Sequence, residues 1–211
     1  MEKRGTMRQG EAFLTTRSEE ETTYTGMVLG NSIREPLVIT LNGELGSGKT
    51  VFVRGAAAGL GVTEMVTSPS FVLLKIYRGR IPVYHFDFYR LDEAAALNDL
   101  GFEEYLPGDG VAFVEWADNL PGIIPAERLE ITIERFHDHG GEGRRLWLMP
   151  HGLESSWLVS RLIEGGAPSP FNICPCPRAG ESRVRWGGAS LKKKKKHQKG
   201  AEERDAHDNT L

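Results

Sequence analysis

The chain has 211 residues, of which 39% are hydrophobic and 26% are charged, and its formal net charge is −3. This composition is typical of a soluble globular protein that buries one core, and two cysteines are too few for a disulfide framework. Because we find no membrane-spanning stretch and no secretion signal, we expect a cytoplasmic protein without membrane association.

A strand and a helix are predicted near the amino terminus. Residues 12–15 form a short run with strand character, and Ser18 followed by Glu21 is a capping-box pattern that begins a helix. This helix should end before Pro36. The apolar residues expected on its buried face are Tyr24, Met27 and Val28.

Residues 43–50 fit the phosphate-loop pattern of Gly, four residues, Gly, Lys and Ser/Thr. An apolar run at 37–41 precedes them and a helical run at 51–58 follows, which is the context that such a loop requires. The glycines allow the backbone to form a concave nest of N–H donors, and the helix adds the positive end of its dipole. We predict that nucleotide phosphates bind to Gly43, Glu44, Leu45, Gly46, Ser47, Gly48, Lys49 and Thr50. Lys49 would contact the β- and γ-phosphates, and the Thr50 hydroxyl would coordinate Mg²⁺.

A proline-containing loop and a β-hairpin come next. The loop at residues 67–71 is rich in hydroxyls, and Thr67 and Ser68 are candidates to contact nucleotide in a switch segment; a plain turn is an equally good interpretation. Extended runs at 71–77 and 81–88 predict the hairpin. Alternation along the second run separates two sets of side chains, with Val83, His85 and Asp87 on one face and Tyr84, Phe86 and Phe88 on the other.

The second half of the chain alternates strand and helix patterns. A short helix is predicted at 92–100, and a strand buried on both faces at 111–114. Runs at 129–133 and 145–149, joined by the polar segment 134–144, predict an antiparallel pair. A last amphipathic helix is expected at 154–163, with Trp157, Leu158 and Leu162 pointing inward.

The composition changes after about residue 165. Residues 168–211 carry 10 Lys and Arg against 5 Asp and Glu, whereas residues 1–167 carry 16 against 24. We predict a folded domain over 1–165 and a disordered, basic tail over 166–211. The five lysines at 192–196 suit a solvated tail better than a nucleic-acid contact, and Cys174 with Cys176 is a weak metal signal.

Two carboxylates at predicted strand ends complete the candidate site. Phosphoryl chemistry needs a carboxylate near the metal and a group that orients the nucleophile. We assign Asp87 to the metal shell and Glu115 to the metal or the attacking water; the structural alternatives are a turn cap or a pair with Arg90 for Asp87, and a solvated strand end for Glu115. His85 is either a base or a structural partner, and Trp116 either stacks on the base of the nucleotide or packs under the site.

Four linked motifs resemble the TsaE (formerly YjeE) family over roughly residues 12–150. They are residues 43–50, Thr-Ser-Pro-Ser-Phe at 67–71, His-Phe-Asp-Phe-Tyr-Arg-Leu at 85–91, and Glu-Trp at 115–116. The departures are Ser47, Ser70 and Phe88, where alanine, threonine and leucine are common, and none removes a needed chemical group. The resemblance implies an α/β fold of the P-loop NTPase type, with three layers and a mixed parallel and antiparallel central sheet.

The resemblance also implies a function and partners. It implies a weakly active, Mg²⁺-dependent ATPase that is activated by the TsaD–TsaB pair. That complex places the threonylcarbamoyl group on adenosine 37 of tRNAs that read ANN codons, so tRNA is contacted through the complex. Lys49, Asp87 and Glu115 would be catalytic, Thr50, Asp87 and Glu115 would bind the metal, and Trp116 would lie beside the ATP. The alternatives are a P-loop small-molecule kinase and a nucleotide-dependent switch that does not hydrolyse ATP.

Overall fold

The computed structural model describes residues 12–91, 105–106, 108–164 and 174–175. These residues form one eight-stranded sheet in the order β3-β4-β5-β2-β6-β7-β1-β8. The strands are β1 Ala12–Thr16, β2 Leu37–Asn42, β3 Leu74–Tyr77, β4 Val83–Asp87, β5 Val111–Glu115, β6 Arg128–Asp138, β7 Gly141–His151 and β8 Cys174–Pro175. The helices are α1 Glu19–Ser32, α2 Lys49–Gly59 and α3 Leu153–Glu164.

The sheet is mixed, as the family resemblance implies. Strands β4, β5, β2 and β6 are parallel neighbours in the centre, while β3 on one side and β7, β1 and β8 on the other pair antiparallel. Because β2 lies between β5 and β6, the loop that leaves its carboxyl end opens at the centre of the sheet. In open α/β sheets, this edge is where ligands bind.

Two apolar layers cover the central strands. Helices α1, α2 and α3 pack on one face, where the fully buried residues include Ile39, Phe52 and Phe113. On the other face Phe86 and Val114 pack with residues of 105–106 and of the two short 3₁₀ turns at 117–123. The structure therefore has the predicted three layers, and both faces of the central strands are buried because apolar side chains alternate to both sides.

Helix α1 begins as predicted but buries a different face. The Ser18 side chain accepts a hydrogen bond from the Glu21 N–H at 3.1 Å, which is the N-terminal cap. The predicted inward residues Tyr24, Met27 and Val28 are only partly buried. The buried residues of the helix are instead Thr22, Thr25, Gly26, Leu29 and Gly30.

Small residues explain this correction, because α1 lies directly against the backbone of α2. A Cβ on Gly26 would lie 2.2 Å from the carbonyl oxygen of Phe52, and one on Gly30 would lie 2.0 Å from that of Ala56. Gly55 in α2 meets Thr23 in the same way, at 1.9 Å. The two helices thus pack by close backbone approach, which only glycine permits at these positions.

Strands β6 and β7 confirm the predicted antiparallel pair but are longer than expected. The two strands pair along their whole length, from Arg128 opposite His151 to Asp138 opposite Gly141. The polar segment 134–144 is therefore part of the two strands and their tight turn, so its interpretation as a joining segment was wrong. Residues 134–138 of β6 are mostly exposed, which suits their polar side chains.

The last helix confirms the predicted amphipathic pattern with one error. Leu158 and Leu162 are buried, together with Val159. Trp157 is 41% exposed and lies against Arg161, whose guanidinium carbon is 5.9 Å from the ring centre, so its inward assignment was wrong.

Some predictions lie outside the described residues. These are the helix at 92–100 and most of the tail at 166–211; the two described tail residues, Cys174–Pro175, pair with β1 as a short antiparallel strand. None of the described helices combines the length and apolarity that a membrane span needs.

Candidate functional site

Residues 43–50 connect β2 to α2 through three glycines with positive φ. The φ angles are +131° at Gly43, +76° at Gly46 and +108° at Gly48, which other residues rarely adopt. A Cβ at Gly43 would also lie 2.2 Å from the carbonyl oxygen of Ile133 in β6. The loop conformation therefore depends on glycine, as the phosphate-loop pattern predicts.

Lys49 begins α2 and turns back over the loop. Its side chain is buried, and its Nζ donates hydrogen bonds to the carbonyl oxygens of Gly43 at 2.6 Å and Glu44 at 2.9 Å. The same nitrogen lies 3.8 Å from the centre of the Trp116 ring. Burial lowers the pKa of Lys49, and the nearby carboxylate of Glu115 opposes that shift. The amino group is thus held at the mouth of the loop by weak, neutral acceptors.

Thr50 connects the loop to the end of β5. Its hydroxyl donates to Oε1 of Glu115 at 2.8 Å, and the same oxygen lies 2.8 Å from Nε2 of His85. Glu115 is 3% exposed and His85 is fully buried. His85 is therefore a structural partner of Glu115 in this structure, and Glu115 is not a solvated strand end.

Asp87 ends β4 and is tied to the loop at residues 67–71. Its Oδ2 accepts hydrogen bonds from the hydroxyls of Ser68, at 2.7 Å, and Ser70. Its Oδ1 accepts from the N–H of Tyr89 at 3.0 Å, so Asp87 also caps the turn after the strand. The guanidinium of Arg90 stacks over Phe71 at 4.5 Å instead of pairing with Asp87.

Asp87 and Glu115 form a pair of neighbouring buried carboxylates. They are opposite each other in the register of β4 and β5, and their side chains follow Phe113 and His85 to the face that α2 covers. Carboxylate and hydroxyl oxygens are the ligands that Mg²⁺ prefers. The described residues contain no group of three or more His, Cys, Asp or Glu that could hold a metal by themselves.

Trp116 follows Glu115 and lies beside both Lys49 and Tyr89. It has φ +59°, a left-handed conformation that is uncommon for a large side chain, and its N–H donates to the Leu41 carbonyl at 2.9 Å. The ring lies against Lys49 on one side, and its centre is 5.0 Å from that of Tyr89. The strained backbone directs this indole over the phosphate loop.

These side chains line one cleft of about 280 Å³. The predicted site residues in its lining are Leu45, Gly46, Gly48, Lys49, Thr50, Ser68, Asp87, Glu115 and Trp116. Gly43 and Glu44 line an adjoining cleft of about 680 Å³, together with Trp116. Two predicted residues line neither cleft: the hydroxyl of Thr67 accepts from Lys75 at 2.5 Å, and the Ser47 side chain is buried within the loop.

The sequence analysis did not predict several residues that line the cleft, namely Glu19, Val51, Tyr89 and Arg144. Ser70 also lines it, although the sequence analysis named only Thr67 and Ser68 of the loop as candidates to contact nucleotide. Ser70 and Tyr89 belong to motifs around predicted residues, so their positions two residues from Ser68 and Asp87 were usable signals. Arg144 carries no such signal, because it falls in the segment that was interpreted as a joining piece. Only the long β6–β7 hairpin brings it to the loop.

Comparison with known proteins adds a family match over most of this region. The family model described as "Threonylcarbamoyl adenosine biosynthesis protein TsaE" matches residues 16–145. A protein of Bacillus subtilis (strain 168), "tRNA threonylcarbamoyladenosine biosynthesis protein TsaE", is 48% identical over 102 residues, which are 48% of this chain and 63% of that protein. The chain thus matches less than two thirds of the length of that relative.

A second relative and a solved structure are similar over more of their length. The protein of the same name from Treponema pallidum (strain Nichols) is 39% identical over 127 residues, 60% of this chain and 94% of that protein. The solved structure titled "Crystal structure of Bacillus subtilus YdiB" matches with a TM-score of 0.64 and 34% identity, over 76% of this chain and 99% of that one. The similarity therefore extends to the fold as well as to the motifs.

Proposed function

The chain belongs to the TsaE family of threonylcarbamoyl adenosine biosynthesis proteins, and we propose that it is a Mg²⁺-dependent ATPase that acts with TsaD and TsaB. In this proposal ATP hydrolysis serves the threonylcarbamoyl modification of adenosine 37 in tRNAs that read ANN codons. The observation that supports it most directly is a single cleft that contains the phosphate-loop lysine, the loop threonine and two buried carboxylates.

The phosphate loop suits the phosphate groups of ATP, because it presents hydrogen-bond donors to their negatively charged oxygens. The backbone N–H groups of the loop and the amino end of α2 attract anions. The Lys49 amino group, which bonds only to loop carbonyls in this structure, would exchange those neutral acceptors for phosphate oxygens. Since a charged acceptor gives a stronger hydrogen bond than a carbonyl, nucleotide binding favours this exchange.

The residues also fit the magnesium ion that the proposal requires. Thr50, Glu115 and Asp87 present a hydroxyl and two carboxylates to the cleft, and Mg²⁺ prefers oxygen ligands of these kinds. A bound Mg²⁺ would neutralise charge on the phosphates. Glu115 would hold the ion or orient the attacking water, and His85 would keep its carboxylate in place.

Two exposed apolar side chains, one in the lining of the cleft and one next to it, suit the proposed dependence on partner proteins. Leu45 on the loop is 72% exposed, and Phe71, next to Ser70, is 84% exposed. Since both residues adjoin groups that contact the cleft, a partner that covers them would change the geometry of the site. TsaD and TsaB are the partners that we propose, and tRNA would be reached through them.

The test is ATP turnover by the full chain, mixed with TsaD, TsaB and tRNA. We expect Lys49→Ala and Asp87→Ala to abolish both ATP hydrolysis and tRNA modification. Asp138→Ala, which changes an exposed aspartate at the β6–β7 turn, is the matched control and should leave turnover unchanged. Wild-type turnover by either site variant would refute the proposal.

Two further measurements separate the alternatives. A small-molecule kinase would transfer phosphate to an acceptor, so a labelled γ-phosphate would appear in a product other than inorganic phosphate. A switch that does not hydrolyse ATP would support repeated rounds of tRNA modification with a non-hydrolysable analogue. We expect inorganic phosphate as the only labelled product and no repeated modification with the analogue.

A further inference from the structure

Arg144 reaches the phosphate loop from β7, which lies two strands away from β2 in the sheet. It lies on β7, opposite Arg135 of β6 and Thr16 of β1. Its Nε and Cδ lie 3.1 and 3.4 Å from the point where a Cβ on Gly48 would stand. The arginine side chain therefore passes directly over the residue that precedes Lys49, and the absence of a side chain at Gly48 makes room for it.

Among the described residues, the Arg144 guanidinium has neither an ion pair, as Arg135 has, nor an aromatic ring beside it, as Arg145 has. Its Nε is buried and has no hydrogen-bond partner among the described residues, nor does the side chain form an ion pair with any of them. Arg135, opposite it, pairs with Glu142 at 3.4 Å. A buried donor without a partner is costly, so such a group in a folded protein calls for an explanation.

The adjacent Arg145 also has a buried Nε without a hydrogen-bond partner among the described residues, but its guanidinium has a different environment. Its guanidinium lies over three aromatic rings, with distances of 5.3 to 5.6 Å from their centres, and cation–π contacts of this length stabilise an arginine. Because side chains alternate along a strand, Arg145 points to the opposite face of β7. Arg144 has no comparable contact, and it lines the cleft together with Lys49 and Thr50.

We propose that Arg144 binds the phosphate chain of the nucleotide, as a second cation beside Lys49. A triphosphate brings several negative charges into a cleft where Asp87 and Glu115 already place two more. The planar guanidinium matches phosphate oxygens better than an ammonium group does, and its unpartnered Nε is available to donate. This inference rests on the ATP site proposed above.

Equilibrium binding of ATP and ADP in the presence of Mg²⁺ tests this role. We expect Arg144→Gln to weaken the binding of both nucleotides by about tenfold or more, the effect of losing one charge-assisted hydrogen bond. Arg144→Lys should recover part of the affinity, because it restores charge without the fork. Arg145→Gln, the control on the same strand, should bind both nucleotides within about twofold of the wild type.

Footprinting of the wild-type protein makes the test independent of how the variants fold. Phenylglyoxal modifies accessible arginines, and fragment mass spectrometry separates Arg144 from Arg145. Mg²⁺ with ATP should protect Arg144 and leave the reactivity of Arg145 unchanged. Absence of this protection, or wild-type affinity in a folded Arg144→Gln variant while Lys49→Ala has lost binding, overturns the inference alone. A wild-type chain that binds no ATP overturns the proposed function and this inference together.

Discussion

Asp87 and Glu115 stand opposite each other at the carboxyl ends of the neighbouring parallel strands β4 and β5. Each is almost completely buried, and each is held by hydroxyl donors from a different loop: Ser68 and Ser70 for Asp87, and Thr50 for Glu115. The two segments that meet at the cleft thus each hold one of two neighbouring carboxylates. Like charges at neighbouring positions repel each other, and the Lys49 ammonium and a bound cation would both offset this repulsion.

The first prediction concerns removal of one of these charges. Glu115→Gln keeps an oxygen that accepts from Thr50 but removes the negative charge, so we expect ATP turnover to fall by about 100-fold or more. The melting temperature without nucleotide should stay close to the wild-type value, because the amide oxygen still accepts from Thr50 and still lies beside His85. Glu142→Gln, at an exposed position on β7, is the control and should change neither quantity. Turnover close to the wild-type rate would show that this carboxylate is not needed.

The second prediction concerns the serines that hold Asp87. The double variant Ser68→Ala and Ser70→Ala leaves the carboxylate without its two hydroxyl donors, and outer partners of this kind typically change metal affinity by about 10–100-fold. We expect the Mg²⁺ concentration for half-maximal turnover to rise by a factor in that range. A magnesium titration of ATP hydrolysis measures it, with Ser160→Ala on the exposed side of α3 as control. An unchanged magnesium requirement would mean that Asp87 is positioned without the loop.

Much of the fold and of the site follows from the sequence, for identifiable reasons. The central strands are short runs of apolar residues, and the phosphate loop has a fixed spacing, so both are local signals. Pairing across the sheet is not local: nothing near Arg144 indicates that a long hairpin brings it to Gly48. Helix α1 was misjudged because its large residues were assumed to be buried, although glycines four residues apart at 26 and 30 were the better signal.

The third prediction follows from this glycine contact. Gly30→Ala gains about 1 kcal/mol of helix propensity but places a Cβ 2.0 Å from the Ala56 carbonyl oxygen, so the helices must separate. Overpacking of this kind costs about 1–3 kcal/mol, and we expect a net loss of unfolding free energy in urea titrations. Gly122→Ala, where a Cβ would meet nothing within 4 Å, should be nearly neutral. Equal stability of the two variants would contradict the close approach of α1 and α2.

The fourth prediction concerns acid stability. Arg17 donates to both carboxylate oxygens of Asp138, at 2.6 and 2.8 Å, and lowers the pKa of Asp138 to about 2. Since the folded-state pKa is depressed, the stabilisation is complete above the unfolded-state value near 4 and is lost as the pH falls towards 2. The gap in melting temperature between wild type and Asp138→Asn should therefore be larger at pH 6 than at pH 2. A gap that does not depend on pH would contradict this assignment.

The fifth prediction concerns Arg80, which joins the ends of two helices from the β3–β4 turn. Its guanidinium donates to the carbonyl oxygens of Gly30 and Ile33 at the end of α1, at 2.6 and 2.5 Å, and of Gly59 at the end of α2, at 2.6 Å. A cation at a helix carboxyl end also interacts favourably with the dipole.

Replacing Arg80 by methionine keeps most of the aliphatic stem and removes every donor to these carbonyls. Hydrogen bonds from a charged group contribute about 1.5–3 kcal/mol, so we expect the unfolding free energy to fall by about 2 kcal/mol. Arg78→Met, two residues earlier in the same exposed turn, should stay within about 0.5 kcal/mol of the wild type. Urea titrations of both variants give the comparison. Because Arg80 is not among the residues that line the cleft, the affinity of the Arg80→Met variant for ATP should remain unchanged. Equal losses of stability in the Arg80→Met and Arg78→Met variants would assign the effect to the turn and not to the helix ends.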